Sequence, residues 1–117
     1  MTALSHGAIL LCMDVNHAAR CLEKLGNPTR LEVFRLLVRA GPEGLPVGDV
    51  QAHLEIPAST LSHHLSHLVN VGLVRQEREG RVLRCTANCA LMEGLLGFLT
   101  AECCAGVPAK PVRREAG

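Results

Sequence analysis

Apolar residues recur at helical spacing along most of the chain, and the polar, Gly and Pro interruptions between them mark where segments end. "DVNHAARCLEKLGNPTRLEVFRLLVRAG" divides into two helices at "GNP". Leu22 and Leu25 share a face of the first, and Leu31, Phe34, Leu37 and Val38 a face of the second. Pro28 suits a first helical turn with Asn27 as its cap, and Gly41 closes that helix. Val47, Val50 and Leu54 predict a short third helix and "IPA" a tight turn. Ser59 then caps a fourth helix through Leu61, Leu65 and Leu68 that stops near Gly72. "GLVRQEREGRVLRCT" holds two β-type segments around "REG" and predicts a hairpin. "NCALMEGLLGFLTAECC" is helical again, with Leu91, Leu95, Phe98 and Leu99 on one stripe and Gly94 and Gly97 lowering its intrinsic stability.

Two short helices about a tight turn, followed by a hairpin and a last helix, are the order of a winged helix-turn-helix. The expected fold is therefore mainly α with a small β-hairpin, and dimeric through its terminal helices. At 117 residues the chain is one domain with a small Leu and Val core, spanning residues 1–106. The stretch 107–117, rich in Pro, Gly and charge, predicts no fixed structure. Trp and Tyr are absent and Phe occurs only at 34 and 98, which argues against a surface that stacks single-stranded bases. The N-terminal "AILLCM" is short, lacks a basic flank and runs into Asp14, so it fits neither an export signal nor a membrane span. A cytoplasmic chain with no membrane partner is expected.

A net charge of +1 decides nothing about a polyanionic partner, so the distribution matters. In a helix-turn-helix the second helix enters the major groove of duplex DNA. Ser59, Thr60, Ser62, His63 and His67 supply donors and acceptors there, and His64 is expected to be partly buried. No Lys or Arg lies between Ala58 and Gly72, so phosphate attraction must come from elsewhere. The hairpin carries Arg75, Arg78, Arg81 and Arg84 against Glu77 and Glu79. Arg78 and Arg81, nearest the turn, are the candidate phosphate contacts. So few cations per protomer predict a shallow salt dependence and an operator that is an imperfect palindrome gripped by a dimer.

"LGNPTRLEVFRLL", "STLSHHLSHLVNVGLV" and "REGRVLRC" together resemble the ArsR/SmtB metalloregulator repressors over roughly residues 18 to 104. The resemblance implies a homodimer that holds double-stranded operator DNA and lets go when an inducer binds. Two of that family's sensing patterns are missing. Where an arsenic-sensing Cys-Val-Cys-Asp-Leu-Cys would stand, the chain has "PVGDVQ", with Pro46, Gly48 and Gln51 in the thiol positions. The zinc-sensing pattern of the last helix needs Asp and His, and residues 88 to 104 contain neither.

Thiols remain. Cys85 and Cys89 lie before or at the start of the last helix, and Cys103 and Cys104 at its finish. Soft thiolates without carboxylate or imidazole neighbours favour a thiophilic guest, and trivalent arsenic or antimony takes three of them in a pyramid. A vicinal pair serves methylarsenite, which needs two; Cys85 or Cys89 would complete a site for arsenite or antimonite. Fourteen residues separate Cys89 from Cys103, about 21 Å along a straight helix, so one unbroken helix cannot close the site. The expected solutions are a fold-back of Cys85 or a site shared across the dimer. A thiol redox or persulfide switch, or a cadmium or lead sensor, would use the same fold. Cys12 and Cys21 are expected to be buried apolar groups. An enzyme is not indicated, because no Cys-x-x-Cys lies near a βαβ pattern and no nucleophile, base and orienter stand together.

Overall fold

A computed structural model describes residues 13–109. Helix α1 (Val15–Leu25) starts at Asp14, whose Oδ1 accepts from the backbone N–H of His17 at 2.8 Å. Helix α2 (Pro28–Ala40) starts the same way, with Asn27 Oδ1 accepting from the Arg30 N–H at 3.0 Å and Pro28 at the first helical position. A 3-10 turn (Gly41–Glu43) leads into the two-residue strand β1 (Leu45–Pro46). Helices α3 (Val47–Leu54) and α4 (Ala58–Asn70) follow, then β2 (Val74–Glu79), β3 (Val82–Ala87) and α5 (Cys89–Thr100). The three strands form an antiparallel sheet in the order β1-β3-β2, with Leu45 opposite Cys85 and Gln76 opposite the same residue on the other side. Gly80, at φ +64°, and Arg81 form the hairpin tip, and a positive φ at the first central residue suits a type II′ connection.

The core takes one stripe from each helix: Ala18 and Cys21 from α1, Val33, Phe34 and Leu37 from α2, Val50 from α3, Leu61, Leu65 and Leu68 from α4, and Leu95 from α5. Leu73, Val74 and Cys85 close it beneath the sheet. Several expectations need correction. The inward stripe of α2 is Val33, Phe34 and Leu37, while Leu31 and Val38 stay exposed; in α1 Cys21 points in and Leu22 out. Ser59 is not the cap of α4: Pro57, fixed in extended geometry at φ −63° and ψ 151°, precedes the helix, and Ser59 lies within its first turn. β1 went unpredicted because two residues carry no alternation. α5 ends at Thr100, so Cys103 and Cys104 lie beyond it in consecutive turns, with Glu102 and Cys104 at φ +63° and +64°. The reading of Cys12, and of the tail from residue 110 onward, lies outside the described residues; residues 107–109 form neither helix nor strand.

Asn88 ties the sheet to α5. Its Oδ1 accepts from the Leu91 N–H at 3.1 Å and from Arg75 at 3.3 Å, its Nδ2 donates to the Gly72 carbonyl at 3.0 Å, and its backbone N–H donates to the Leu73 carbonyl at 2.8 Å. Asn88→Ala removes a helix cap and two further side-chain bonds, for an expected loss of about 2 kcal/mol. Thermal unfolding should register this as a midpoint lower by roughly 10 °C.

Candidate nucleic-acid interface and thiol sites

Burial of Leu61, Leu65 and Leu68 fixes which side of α4 faces away from the protein. Ser59, Thr60, Ser62 and His63 are exposed there and His67 is half-buried, so all five predicted reading residues belong to the outer sides of one helix. Ser66 shares this surface, its hydroxyl donating to the His63 carbonyl at 2.7 Å. The Nε2 atoms of His63 and His67 stand 3.3 Å apart, with the rings edge to face at 4.7 Å between centroids.

His64 turns the other way. Its Nδ1 accepts from Arg30 Nε at 3.3 Å, while another nitrogen of the same guanidinium donates to the Lys24 carbonyl at 3.2 Å. Desolvation, followed by the charges of Arg30 and His63, pushes its pKa below the usual imidazole value. His67 is lowered too, by desolvation and then by Lys24, Arg30, His63 and His64. Lys24 and Arg30 thus bring positive potential to a helix that carries no cation of its own. The sequence points to the wing arginines for positive charge and not to these two, which arrive from α1 and α2; the signal available is "PTR" beside a helix corner.

The wing separates its arginines into two pairs. Arg84 is held inward: Nε meets Glu79 Oε1 at 2.9 Å, and a terminal nitrogen donates to the Glu43 carbonyl at 3.1 Å, strapping β3 to the 3-10 turn. The Glu79 carboxylate, by hydrogen bond and by charge, raises the Arg84 pKa. Arg75 is spent on Asn88. Arg78 and Arg81 are exposed near the tip, and neither side chain has a hydrogen bond or an ion pair among the described residues.

The thiols divide likewise. Cys21 and Cys85 are buried, and burial pushes both thiols up from their ordinary pKa; for Cys85 the Gln76 amide, donating to Sγ at 3.7 Å, opposes this. Cys89 is exposed at the first residue of α5. Cys103 and Cys104 are exposed, with their sulfurs 3.7 Å apart. Two sulfurs bound to one tetrahedral ion at about 2.3 Å lie about 3.8 Å apart, close to this thiol–thiol contact distance, and a pyramidal ion would draw them somewhat closer. Among the described residues no three His, Cys, Asp or Glu side chains converge, and α5 holds Cys89 away from the pair by about 17 Å of helix.

An inward-anchored helix with a polar outer face, flanked by a hairpin tipped with unpaired arginines, defines a winged helix-turn-helix DNA-binding domain. A family model described as a helix-turn-helix domain matches residues 25–77. An uncharacterized HTH-type transcriptional regulator of Methanocaldococcus jannaschii is 36% identical over 63 residues, covering 54% of this chain and 68% of that one. A putative arsenical resistance operon repressor, ArsR, of Halobacterium salinarum is 38% identical over 60 residues, covering 51% of this chain and 46% of that one, so the match spans about half the repressor's length. The solved structure of HlyU from Vibrio cholerae superposes with a TM-score of 0.59 at 30% identity, covering 74% of this chain and 97% of that one. The chain belongs to the ArsR family of winged helix-turn-helix transcriptional regulators. No helix among the described residues is long and apolar enough to cross a membrane.

Proposed function

We propose that this protein is a cytoplasmic, homodimeric repressor that holds an imperfect operator palindrome and releases it when trivalent arsenic (arsenite or methylarsenite) or antimony is captured by cysteine thiolates. It acts by binding rather than by catalysis. The observation that carries the sensing half is the placement of Cys103 and Cys104: adjacent, exposed, outside the helix, and spaced as a chelate. A third donor is needed for arsenite, and about 17 Å of helix between Cys89 and the pair within one chain favours a donor from the partner chain. Cys89 suits that role better than Cys85, because it is exposed while Cys85 is sealed in the core with its thiolate disfavoured.

Dimerisation is supported by apolar side chains that the single chain leaves uncovered on its first and last described helices. Val15 is 68% exposed, Leu96 54% and Leu99 51%. Burying them against a second copy would add the core that one small domain lacks. It would also present two α4 helices to successive major grooves.

In this reading Ser59, Thr60, Ser62, His63 and His67 meet base edges, and Arg78 and Arg81 meet phosphates. Two phosphate contacts per protomer give a slope of log K against log salt of about −4 for the dimer. Arg78→Ala/Arg81→Ala should remove most of that slope and weaken all duplexes alike, whereas His63→Ala or Ser62→Ala should erode sequence preference. The decisive experiment selects bound sequences from a random duplex pool, then titrates the complex with arsenite, methylarsenite, antimonite and cadmium under reductant. Release by the metalloids supports the proposal. Release only by oxidant or persulfide, with no metalloid effect, would replace it with a redox switch on the same thiols.

A further inference from the structure

A groove of about 430 Å³ runs between α2 and the last turn of α3, with Glu32, Arg35, Leu36 and Arg39 on one wall and His53 and Leu54 on the other. A smaller one of about 220 Å³ shares Leu36, Arg39 and His53 and continues it to Leu45. Among the described residues the Arg35, Arg39 and His53 side chains have no hydrogen bond or ion pair, in contrast to Arg30, Arg75 and Arg84. We propose that this groove binds a small organic monoanion, a carboxylate carried on an aliphatic or aromatic body, with the carboxylate held by Arg35 and Arg39. The site uses neither the thiols nor the residues assigned to DNA contact, so it stands apart from the function proposed above.

Both walls are anchored from behind. Val33 and Leu37 fix α2 in the core and Val50 fixes α3, so the groove is preformed. Its volume lies within the about 300–1,000 Å³ common for small-molecule sites. Glu32, Arg35, Leu36 and Arg39 follow the spacing that puts residues on one side of a helix. Arg35 and Arg39 are thus neighbours one turn apart, two like charges that repel until an anion sits between them. The planar fork of a guanidinium matches a carboxylate, and the His53 ring faces the pair from α3 as a further donor. Leu36, Leu45 and Leu54, all half-buried, form the apolar part of the lining, which suits a hydrocarbon body and gives nothing to a bare inorganic ion. Two guanidiniums against the Glu32 carboxylate leave one excess positive charge, which a monoanion balances and a dianion overshoots. Position separates the groove from the reading surface. Arg39 comes about two and a half turns after Arg30, so it leaves α2 on the side opposite the guanidinium that reaches His64.

Calorimetry and amide nitrogen–proton spectra of the full chain test this with hexanoate and benzoate as probes and with acetate, hexanamide and benzamide as controls. Each probe should saturate a single site per chain and move the amide signals around Arg35, Arg39 and His53. Acetate lacks the body and the amides lack the charge, so all three should bind weaker by about tenfold or more. Arg35→Gln and Arg39→Gln, both at exposed positions, should each weaken hexanoate by about tenfold. Thermal unfolding, and binding of a random-sequence duplex at low salt, should stay as in the unsubstituted chain. Glu32→Gln should tighten hexanoate. It should tighten hexyl phosphate more at about pH 8, where a phosphate monoester is a dianion that the lost carboxylate repelled about twice as strongly. Binding that never saturates, signals that move only at the Arg78 and Arg81 tip, or isotherms unchanged in both arginine variants would overturn the site. Hexyl phosphate binding tighter than hexanoate to the unsubstituted chain would overturn the carboxylate assignment. Loss of duplex affinity in the arginine variants would give this face to DNA phosphates and overturn the proposal as well.

Discussion

Gly44→Ala should be among the most destabilising single substitutions in this protein, costing about 3 kcal/mol or more. Gly44 has φ +62° and ψ −158°, a region open only to glycine, and a Cβ built there runs into the backbone carbonyl of Cys85 and the Thr86 hydroxyl. The carbonyl belongs to the central strand of the sheet and cannot step aside without breaking the pairing of Leu45 with Cys85. Gly41 separates the two causes. It shares the glycine-only backbone, at φ +81° and ψ −162°, but its added Cβ would meet nothing within 4 Å. Urea unfolding should place Gly41→Ala at the cost of strain alone, about 1–3 kcal/mol, with Gly44→Ala clearly beyond it. Equal midpoints for the two would mean that β1 yields freely, and the sheet would not be the rigid base of the wing.

Cys103→Ser/Cys104→Ser carries the largest functional effect. Selected duplex should bind as before, since both residues lie beyond α5 and are exposed, outside the residues assigned to DNA contact, while the metalloid concentration for half release should rise by about a hundredfold or more. Cys89→Ser divides the inducers: arsenite, which needs a third thiolate, should lose potency, and methylarsenite should not. Cys85→Ser should instead lower stability, because it puts a hydroxyl into a fully buried position whose neighbour is a single amide. Mixing Cys89→Ser chains with Cys103→Ser/Cys104→Ser chains tests the shared site directly. One of the two sites in a mixed dimer keeps all three thiols, so partial recovery of arsenite binding is expected. A double serine variant that still releases DNA at the original arsenite concentration would remove the C-terminal pair from the mechanism.

The helices were legible because their signals are local. Asn27 with Pro28, the Leu61, Leu65 and Leu68 stripe, and "REG" between two β-type runs each fix an element from within a few residues. What escaped was set by tertiary contacts. Leu31 and Val38 are as apolar as Leu37, and only the packing of α2 against α4 and β3 selects Val33 in their place. β1 exists because Leu45 and Pro46 meet β3, not because of anything in two residues. The reading surface was found from the polar side of one amphipathic helix, yet its positive flank comes from Lys24 and Arg30, far off in sequence. Of the four wing arginines, charge counting could not tell the two clasped by Glu79 and Asn88 from the two left facing water. The thiols were visible as letters, but burial, which divides Cys85 from Cys89 over four positions, was not.

Asn88 stands where three pieces of the protein meet: the end of β3, the first turn of α5 and the Gly72–Leu73 corner just after α4. A tilt of α5 would load the same side chain that holds the corner after α4, so one amide is the point where movement of the C-terminal helix would first be felt by the DNA-facing helix.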